Sequence, residues 1–205
     1  MLDDYYTRRS KALMTKPACR YYHNWDHVQA CFENARRLKY DIENTALEKA
    51  ILYHDIVYDK HPDKEFRSMC MWHADTHMNE CTDYAFVKEV SELIMSTHGH
   101  DISATSDPRM IRVDLTDLTH PSKTIENFSK ILKESIAIYD STEILVAKAG
   151  LEFMIGLEQT CKKNKMNDDK EYSQFWDDVI NGIKLTQGLY GEIIHYNDRK
   201  LARVK

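Results

Sequence analysis

Glycine and proline are scarce in this chain, with six and four residues among 205. Tight turns between short strands depend on these two residue types, so their scarcity favours long helices over a fold rich in hairpins. No run of alternating apolar and polar residues is long enough to predict a strand, and no internal repeat is present. Since 42% of the residues are hydrophobic and 30% are charged, the sequence predicts an ordinary globular, all-α protein.

The chain also lacks paired cysteines. Its five cysteines are odd in number and widely spread, and no two of them form a C-x-x-C pair. This pattern argues against a disulfide framework and against a thiolate zinc site, and it favours a reducing compartment. The cysteines are Cys19, Cys31, Cys70, Cys81 and Cys161.

Excess positive charge and long apolar runs are missing as well. The formal net charge of −5 gives no electrostatic reason to bind duplex nucleic acid, which requires clustered Lys and Arg. A small phosphorylated ligand is compatible with this charge, because one local cluster with a metal would hold it. No stretch of about eighteen apolar residues occurs, and the acidic start MLDD is unlike a signal peptide. We therefore expect a cytoplasmic protein with no membrane partner.

Two helices in the first quarter of the chain have clear N-terminal signals. Asn24 fits an N-cap, and apolar residues follow it at spacings of three and four. Thr45 and Glu48 fit a capping box, and the apolar face behind them ends at His54. We therefore expect His27 and His54 to point inward from separate helices. The apolar positions of the first of these helices are Val28, Cys31, Phe32, Ala35 and Leu38.

Three further helices are predicted before residue 120. The first covers residues 65–79, and the next starts at Thr82 or Asp83 and has an inner face that ends at His98. The third places Asp114 on its apolar side, although Asp117, one turn later, could point inward instead. The buried stripe expected on the helix over residues 65–79 consists of Phe66, Met69, Cys70 and His73.

The last third of the chain is also predicted to be helical. A long helical stretch over residues 122–159 is expected to break near Asp140, and a polar linker covers residues 162–170. We divide the chain into a helical domain over residues 1–160 and a C-terminal helical extension over residues 161–205, packed on the same domain. The extension could cap a pocket, mediate a homo-oligomer or complete the core.

His54 and Asp55 stand side by side in an otherwise apolar run, AILYHDIVYD. Burial of a carboxylate costs several kcal/mol unless a cation, a hydrogen-bond network or a metal offsets it. Together with His27 and Asp114 they offer two imidazoles and two carboxylates, which suit Mn, Fe, Co, Zn, Ni or Mg. Such a set leaves coordination positions open for water and substrate. The sequence therefore predicts one divalent metal ion, of unknown identity, held by these four residues.

The order H…HD…D of these residues resembles the HD-domain superfamily of metal-dependent phosphohydrolases. Residues 20–28 (RYYHNWDHV) are similar to the R-x-Y-H-N-x-x-H-[IV] opening of a subfamily of small HD proteins, and residues 54–59 (HDIVYD) to its H-D-x-V-Y-D segment. Residues 65–68 (EFRS), 97–100 (THGH) and 113–115 (VDL) resemble its E-x-x-S, T-x-H-H and D-L elements. The resemblance extends over about residues 18–120. It implies a single-domain helical bundle of the HD-domain type with the C-terminal extension added.

The resemblance also implies hydrolysis of phosphate esters or anhydrides, commonly of nucleotides, by metal-activated water. The expected partner is a small phosphorylated substrate. The alternative is a non-catalytic or sensory module that uses the same site to bind a metal and a nucleotide.

Three residues are assigned catalytic roles on this basis. Glu65 would orient or deprotonate the attacking water, or hold a ligand histidine in its tautomer; as a solvated glutamate in a first helical turn it would do neither. Asp55 is counted here as well as among the ligands. His98 would contact phosphate or a second metal, whereas His100 is expected to be a surface residue.

Four further residues are expected to bind the substrate. Arg20 can offer a bidentate fork to phosphate, although a structural salt bridge would use the same group. His23 would contact phosphate or a second metal, with a loop histidine bonded to backbone as the alternative. Tyr22 and Tyr58 would line the pocket or, alternatively, serve as core aromatics.

Overall fold

The computed structural model describes residues 5–15, 19–119, 124–140, 143–145, 147–148 and 150–151, and within these ranges all regular structure is helical. The predicted all-α class is therefore confirmed for the described part. The expected linker and the extension over residues 161–205 lie outside it. The α-helices of the described part include α1 (Tyr5–Met14), α2 (Trp25–Arg37), α3 (Ala46–Tyr53), α4 (Lys64–Met78), α5 (Tyr84–Ser96), α6 (Arg109–Thr119) and α7 (Thr124–Ile138).

The predicted caps explain where three of these helices begin. The side-chain oxygen of Asn24 accepts hydrogen bonds from the N–H groups of Asp26 and His27 at the start of α2. Thr45 does the same for the N–H of Glu48 at the start of α3, and Asp83 caps α5. Each such cap contributes about 1 kcal/mol, so the first residues of α2 have a fixed orientation.

Helix α3 is the centre of the fold. All eight of its residues are buried, and it packs against α1, α2, α4, α5 and α6. Full burial of each Leu or Ile side chain stabilises the folded chain by about 1.5–3 kcal/mol. Because His54 directly follows this helix, the histidine and the aspartate after it lie where the chain leaves the core.

The predicted buried stripe of α4 is wrong for three of its four residues, since His73 is exposed like the two named next and only Met69 packs against the core. Phe66 and Cys70 are exposed, while Trp72 is almost fully buried. Trp72 donates from Nε1 to the carbonyl of Val87, 3.2 Å away, and the hydroxyl of Tyr53 donates to Asp75 at 2.7 Å. The helix therefore turns its largest side chain inward together with polar groups that find partners on other helices. Its buried residues are Lys64, Ser68, Trp72, Asp75 and Thr76.

The chain leaves α5 earlier than the sequence suggested. The helix ends at Ser96, and Thr97 is buried while the side chain of His98 is 62% exposed. Gly99 adopts a positive φ of 69°, a conformation that costs glycine little. The turn removes His98 from the apolar face on which we placed it. Among the described helices, none is both long and apolar enough to cross a bilayer.

Candidate metal centre

The four predicted ligands meet at one point between α2, α3 and α6. His27 lies in the first turn of α2, His54 and Asp55 follow α3, and Asp114 lies in the middle of α6. Helix α2 packs against both α3 and α6, which brings the three segments together. The side chains of Asp55 and Asp114 are only 15% and 12% exposed, and both histidine side chains are 1% exposed.

The distances between their donor atoms fit one ion. From Nε2 of His27 it is 3.3 Å to Nε2 of His54 and 3.1 Å to Oδ1 of Asp114. Oδ2 of Asp55 lies 3.0 Å from Nε2 of His54 and 3.5 Å from Nε2 of His27. Two nitrogen or oxygen donors at about 2.1 Å from the same ion, at angles of 90–109°, are separated by about 3.0–3.4 Å. The residues present therefore suit a divalent cation in donor type and in most of their spacings. The 4.0 Å between Nε2 of His54 and Oδ1 of Asp114 is wider than this range, so these two donors would have to move closer to complete a tetrahedral site.

Cys31 lies in the same cluster, which the sequence did not reveal. Its side chain is fully buried, and Sγ lies 3.6 Å from Nε2 of His27. One donor atom each from His27, Cys31, His54 and Asp114 lies within 4.8 Å of all the others, so this group could hold a metal ion. We had placed Cys31 on an apolar stripe only. The available signal was its spacing of four residues from His27, which puts both on one face of α2.

Burial and charge act against each other on the pKa of each group here. Burial alone would lower the pKa of His54, but the negative charges of Asp55 and Asp114 outweigh it and raise that pKa to about 9. Burial alone would raise the pKa of Asp114, but hydrogen bonds from His100 and His27 hold it well below its usual range. The pKa of Asp55 is lowered as well, chiefly by His54 against the effect of burial. Both carboxylates are ionised at neutral pH, and a cation that binds must displace the proton of His54.

Two contacts orient the ligands from outside the cluster. Nδ1 of His54 donates to the carbonyl oxygen of Ile51 at 3.0 Å, which leaves Nε2 facing the cluster. Nε2 of His100 lies 2.7 Å from Oδ2 of Asp114, while Oδ1 of Asp114 faces His27. The expectation that His100 is a surface residue is therefore wrong, since its side chain is only 16% exposed. Such partners outside the ligand set fix ligand orientation in metal sites.

Arg20 joins two parts of the site through the backbone. Its guanidinium donates to the carbonyl oxygens of Asp55 at 2.8 Å and Ile56 at 3.0 Å, and to that of His23 at 3.4 Å. These contacts connect the loop before α2 with the turn after α3. The described contacts of Arg20 are therefore hydrogen bonds to backbone oxygens and not the salt bridge considered as its alternative role. Contact between Arg20 and phosphate stays a prediction.

His23 is held between Tyr58 and a glutamate of α7. Its ring stacks on Tyr58 with 3.9 Å between the centroids, and Nδ1 lies 3.3 Å from Oε2 of Glu134. Burial alone would lower the pKa of His23, but the charges of Asp55 and Glu134 outweigh it and raise the pKa. The ring of Tyr22 stands edge-on to His23 at 4.8 Å. The predicted substrate-binding residues His23, Tyr22 and Tyr58 thus lie together.

Glu134 is a second residue that the sequence analysis missed. It is fully buried, and Oε2 also accepts hydrogen bonds from the backbone N–H groups of Tyr22 and His23, at 2.8 and 3.0 Å. The available signal was a carboxylate at helical spacing between two apolar residues of α7, Ile131 and Ile138. Helix α7 thereby anchors the loop that leads into α2.

Glu65 and His98 form a pair of their own. Nδ1 of His98 lies 3.2 Å from Oε2 of Glu65, and neither belongs to the described group of donor atoms. Their catalytic roles stay predictions. The side chain of Asp117, the alternative to Asp114, lies outside the described side chains, whereas Asp114 reaches the cluster.

A pocket of about 200 Å³ adjoins His27 between the start of α2 and α7. The ammonium group of Lys133, further along α7 than the lining residues, lies 3.9 Å from the centre of the Tyr21 ring. The pocket is therefore next to a predicted ligand and carries aromatic and amide groups. Its lining consists of Tyr21, Tyr22, Asn24, Asp26, His27, Glu126, Asn127 and Lys130, and so includes two carboxylates.

Searches with protein-family models, among curated proteins and among solved structures found no match for this chain. Membership of the HD-domain superfamily therefore stays a prediction from the motifs. The function of the chain has to be inferred from the chemistry of the cluster and its surroundings.

Proposed function

We propose that this protein is a divalent-metal-dependent phosphohydrolase that cleaves a small phosphorylated compound, with a nucleotide as the favoured substrate. The observation that supports this most directly is the convergence of donor atoms from His27, His54, Asp55 and Asp114, which come from three distant segments. A cluster of two ionised carboxylates and two imidazoles at this depth is stabilised by a cation. Phosphoryl transfer depends mainly on positioning and on charge stabilisation, so a metal site needs few further groups.

The residues of the cluster would have two roles: some would bind the ion, and Asp55 could instead accept a hydrogen bond from the attacking water. His27, His54 and Asp114 would bind it, and Asp55 would either complete the set or accept a hydrogen bond from the attacking water. A bound divalent cation supplies the charge that polarises a phosphoryl oxygen and makes a water molecule more acidic. His100 would keep the carboxylate of Asp114 in place through its 2.7 Å contact.

The pocket beside His27 supports a nucleotide over a simple phosphate ester. Tyr21 offers a half-buried ring on which a base can stack, and Asn24 and Asn127 offer amide donors and acceptors. The carboxylates of Asp26 and Glu126 also line this pocket and do not favour a phosphate there. A volume of about 200 Å³ has room for an organic group and not only for a phosphate. Because the pocket touches His27, a group bound there would lie beside the metal-binding cluster.

One observation favours the alternative, a metal-binding module without turnover. Four buried donors, from His27, Cys31, His54 and Asp114, suffice to saturate a tetrahedral ion, and closed sites of this kind are structural in other proteins. In that case the protein would bind a metal and a nucleotide but release no phosphate.

The test is phosphate release by protein that has been stripped with a chelator and reloaded with Mn, Mg, Co or Zn. The panel should contain nucleoside mono-, di- and triphosphates and non-nucleotide phosphate esters. We expect hydrolysis by the reloaded protein, and its loss by at least about 100-fold in His54→Ala and Asp55→Ala proteins. His77→Ala, which removes an exposed histidine at the end of α4, is the matched control and should keep full activity.

Two outcomes would count against hydrolysis. Full activity in a folded His54→Ala protein would show that the cluster does not act in catalysis. Metal and nucleotide binding by the wild-type protein without any phosphate release would favour the binding module instead.

A further inference from the structure

Cys31 lies where a sulfur ligand of the same cation would lie. A zinc ion holds thiolate sulfur at about 2.3 Å and imidazole nitrogen at about 2.1 Å, so at a tetrahedral angle the two donors are about 3.6 Å apart. Sγ of Cys31 and Nε2 of His27 are 3.6 Å apart. The distances from His27 to His54 and Asp114, 3.3 and 3.1 Å, fit the same ion. His54 and Asp114 are 4.0 Å apart and would have to approach each other when the ion binds.

The position of Cys31 on α2 favours this contact between the two side chains. His27 and Cys31 are separated by one helical turn and lie on the same buried face. Both side chains are almost completely removed from solvent, and Cys31 is not in a disulfide. Its sulfur is also within 4.8 Å of donor atoms on His54 and Asp114, which lie on other segments.

The charges of the four buried groups balance. With the histidines neutral, a thiolate at Cys31 and the carboxylate of Asp114 cancel the charge of a divalent cation, which limits the cost of burying them. Asp55 then carries the surplus negative charge at the edge of the cluster, where it can accept a hydrogen bond from water. Binding of the cation would release the thiol proton of Cys31 to solvent.

We propose that Cys31 binds the cation through its sulfur together with His27, His54 and Asp114. This inference deepens the proposed function and rests on the same metal centre. With four ligands from the protein, hydrolysis would require a fifth coordination position for water, whereas a site that stays closed would be structural. Thiolate ligands favour zinc, cobalt(II) and iron(II), whereas carboxylate and water suit Mg and Mn. The protein therefore selects a thiophilic ion from the set that the histidines and carboxylates alone would accept.

The first experiment uses the wild-type chain, stripped and loaded with one equivalent of zinc, and measures X-ray absorption at the zinc edge. We expect one sulfur neighbour at about 2.3 Å in addition to nitrogen and oxygen neighbours at about 2.0–2.1 Å. This measurement requires no substitution, so it decides the question even if variants of the buried Cys31 fail to fold. A zinc shell made only of nitrogen and oxygen overturns the proposal.

The second experiment uses cobalt(II) and absorption spectroscopy. Wild-type protein should show the near-ultraviolet charge-transfer absorption of a cobalt–thiolate bond, and Cys31→Ser should bind cobalt without it. Cys70→Ser, which alters an exposed cysteine, is the control and should keep the absorption. Cys31→Ser should also weaken zinc binding by at least about tenfold, the lower end of the loss seen when even an outer partner of a ligand is removed, while magnesium binding changes little.

The outcomes separate this proposal from the function above. Cobalt bound at one equivalent without the thiolate absorption overturns the role of Cys31 and leaves the metal centre in place. Failure of the wild-type chain to bind cobalt or zinc at all overturns both. An unchanged spectrum in Cys31→Ser would assign the absorption to another cysteine and would also overturn the proposal.

Discussion

The carboxylate of Asp114 has a different partner at each oxygen. Oδ2 contacts His100 at 2.7 Å, and Oδ1 faces Nε2 of His27 at 3.1 Å. The imidazole of His100 therefore limits rotation of the carboxylate and keeps one oxygen available for a cation. A residue in this position acts on the metal only through the ligand that it orients.

We expect His100→Ala to weaken metal binding by about 10–100-fold, the usual cost of losing such a partner. The affinity is measured by competition with a chromophoric chelator. His98→Ala is a close control, because His98 lies two residues away and its side chain is 62% exposed. Equal weakening in the two variants would show that the turn as a whole matters, and not the contact with Asp114.

Individual residues also show where prediction from sequence succeeds. His27, His54 and Asp55 were predicted as ligands because ionisable groups interrupt apolar helical faces there. A pattern of this kind involves only residues close in sequence, so the sequence alone reveals it. Cys31 and His100 did not stand out. A buried cysteine looks like any small apolar residue, and the role of His100 depends on a turn with positive φ at Gly99 and His100 and on a contact 14 residues away.

At the scale of helices, α7 controls the loop that leads into α2. Glu134 is fully buried in α7 and accepts two backbone N–H groups of that loop, from Tyr22 and His23. Loss of the carboxylate would leave both buried donors without a described acceptor. An unsatisfied buried group costs about 1–3 kcal/mol.

We therefore expect Glu134→Ala to lower the free energy of unfolding at pH 7 by about 2–4 kcal/mol, from two such donors and some lost packing. The measurement is urea denaturation of the metal-free protein. Glu126→Ala, on the same helix but with a side chain that is 65% exposed, is the control and should change the free energy by less than about 0.5 kcal/mol.

The difference in the free energy of unfolding between the wild type and Glu134→Ala should depend on pH. Burial alone would raise the pKa of Glu134, but the charge of His23 and the hydrogen bonds outweigh it, so the pKa lies below its usual value of 4.5. The stabilisation is therefore complete above pH 4.5 and is lost as the pH falls through the lowered pKa. The difference between wild type and Glu134→Ala should shrink in that acid range, and a difference that grows there would contradict the ionised carboxylate.

The predictions from sequence were more accurate for the starts of the helices than for the buried face of α4. Asn24, Thr45 and Asp83 marked three starts correctly, because a cap is a contact within three residues. The stripe on α4 was misplaced, since hydrophobicity alone favours Phe66 over Ser68 at the buried face. Ser68 is buried because its hydroxyl bonds both backbone groups of Val57, 11 residues away, and no local pattern contains that information.

For the whole molecule, a cation at the cluster would connect the start of α2, the end of α3 and the middle of α6, which are far apart in sequence. The ligands on α2, after α3 and on α6 span residues 27–114. In the unfolded chain these donors are not held together, so the binding free energy adds to the stability of the fold.

We expect zinc at a free concentration of 100 times its Kd to stabilise the protein by about 2.7 kcal/mol. For a chain of this size the melting temperature should rise by about 5–11 °C, and a chelator should reverse the rise. Calorimetry or circular dichroism measures it. Asp114→Asn should lose most of the rise while His77→Ala keeps it, and a shift that survives Asp114→Asn would place the binding ion elsewhere.

The guanidinium of Arg20 positions two ligand-bearing segments before a cation binds. It holds the peptide oxygens of Asp55 and Ile56 against the segment that begins α2, so the relative position of the two histidine-bearing segments is set before any ion arrives. Ligands that are already in place need little rearrangement when the cation binds. A lysine at position 20 could not bond both carbonyl oxygens in the same way, because its single ammonium group lacks the planar fork of the guanidinium. Arg20, seven residues before His27, thus reduces the conformational entropy that the protein loses when it binds the cation.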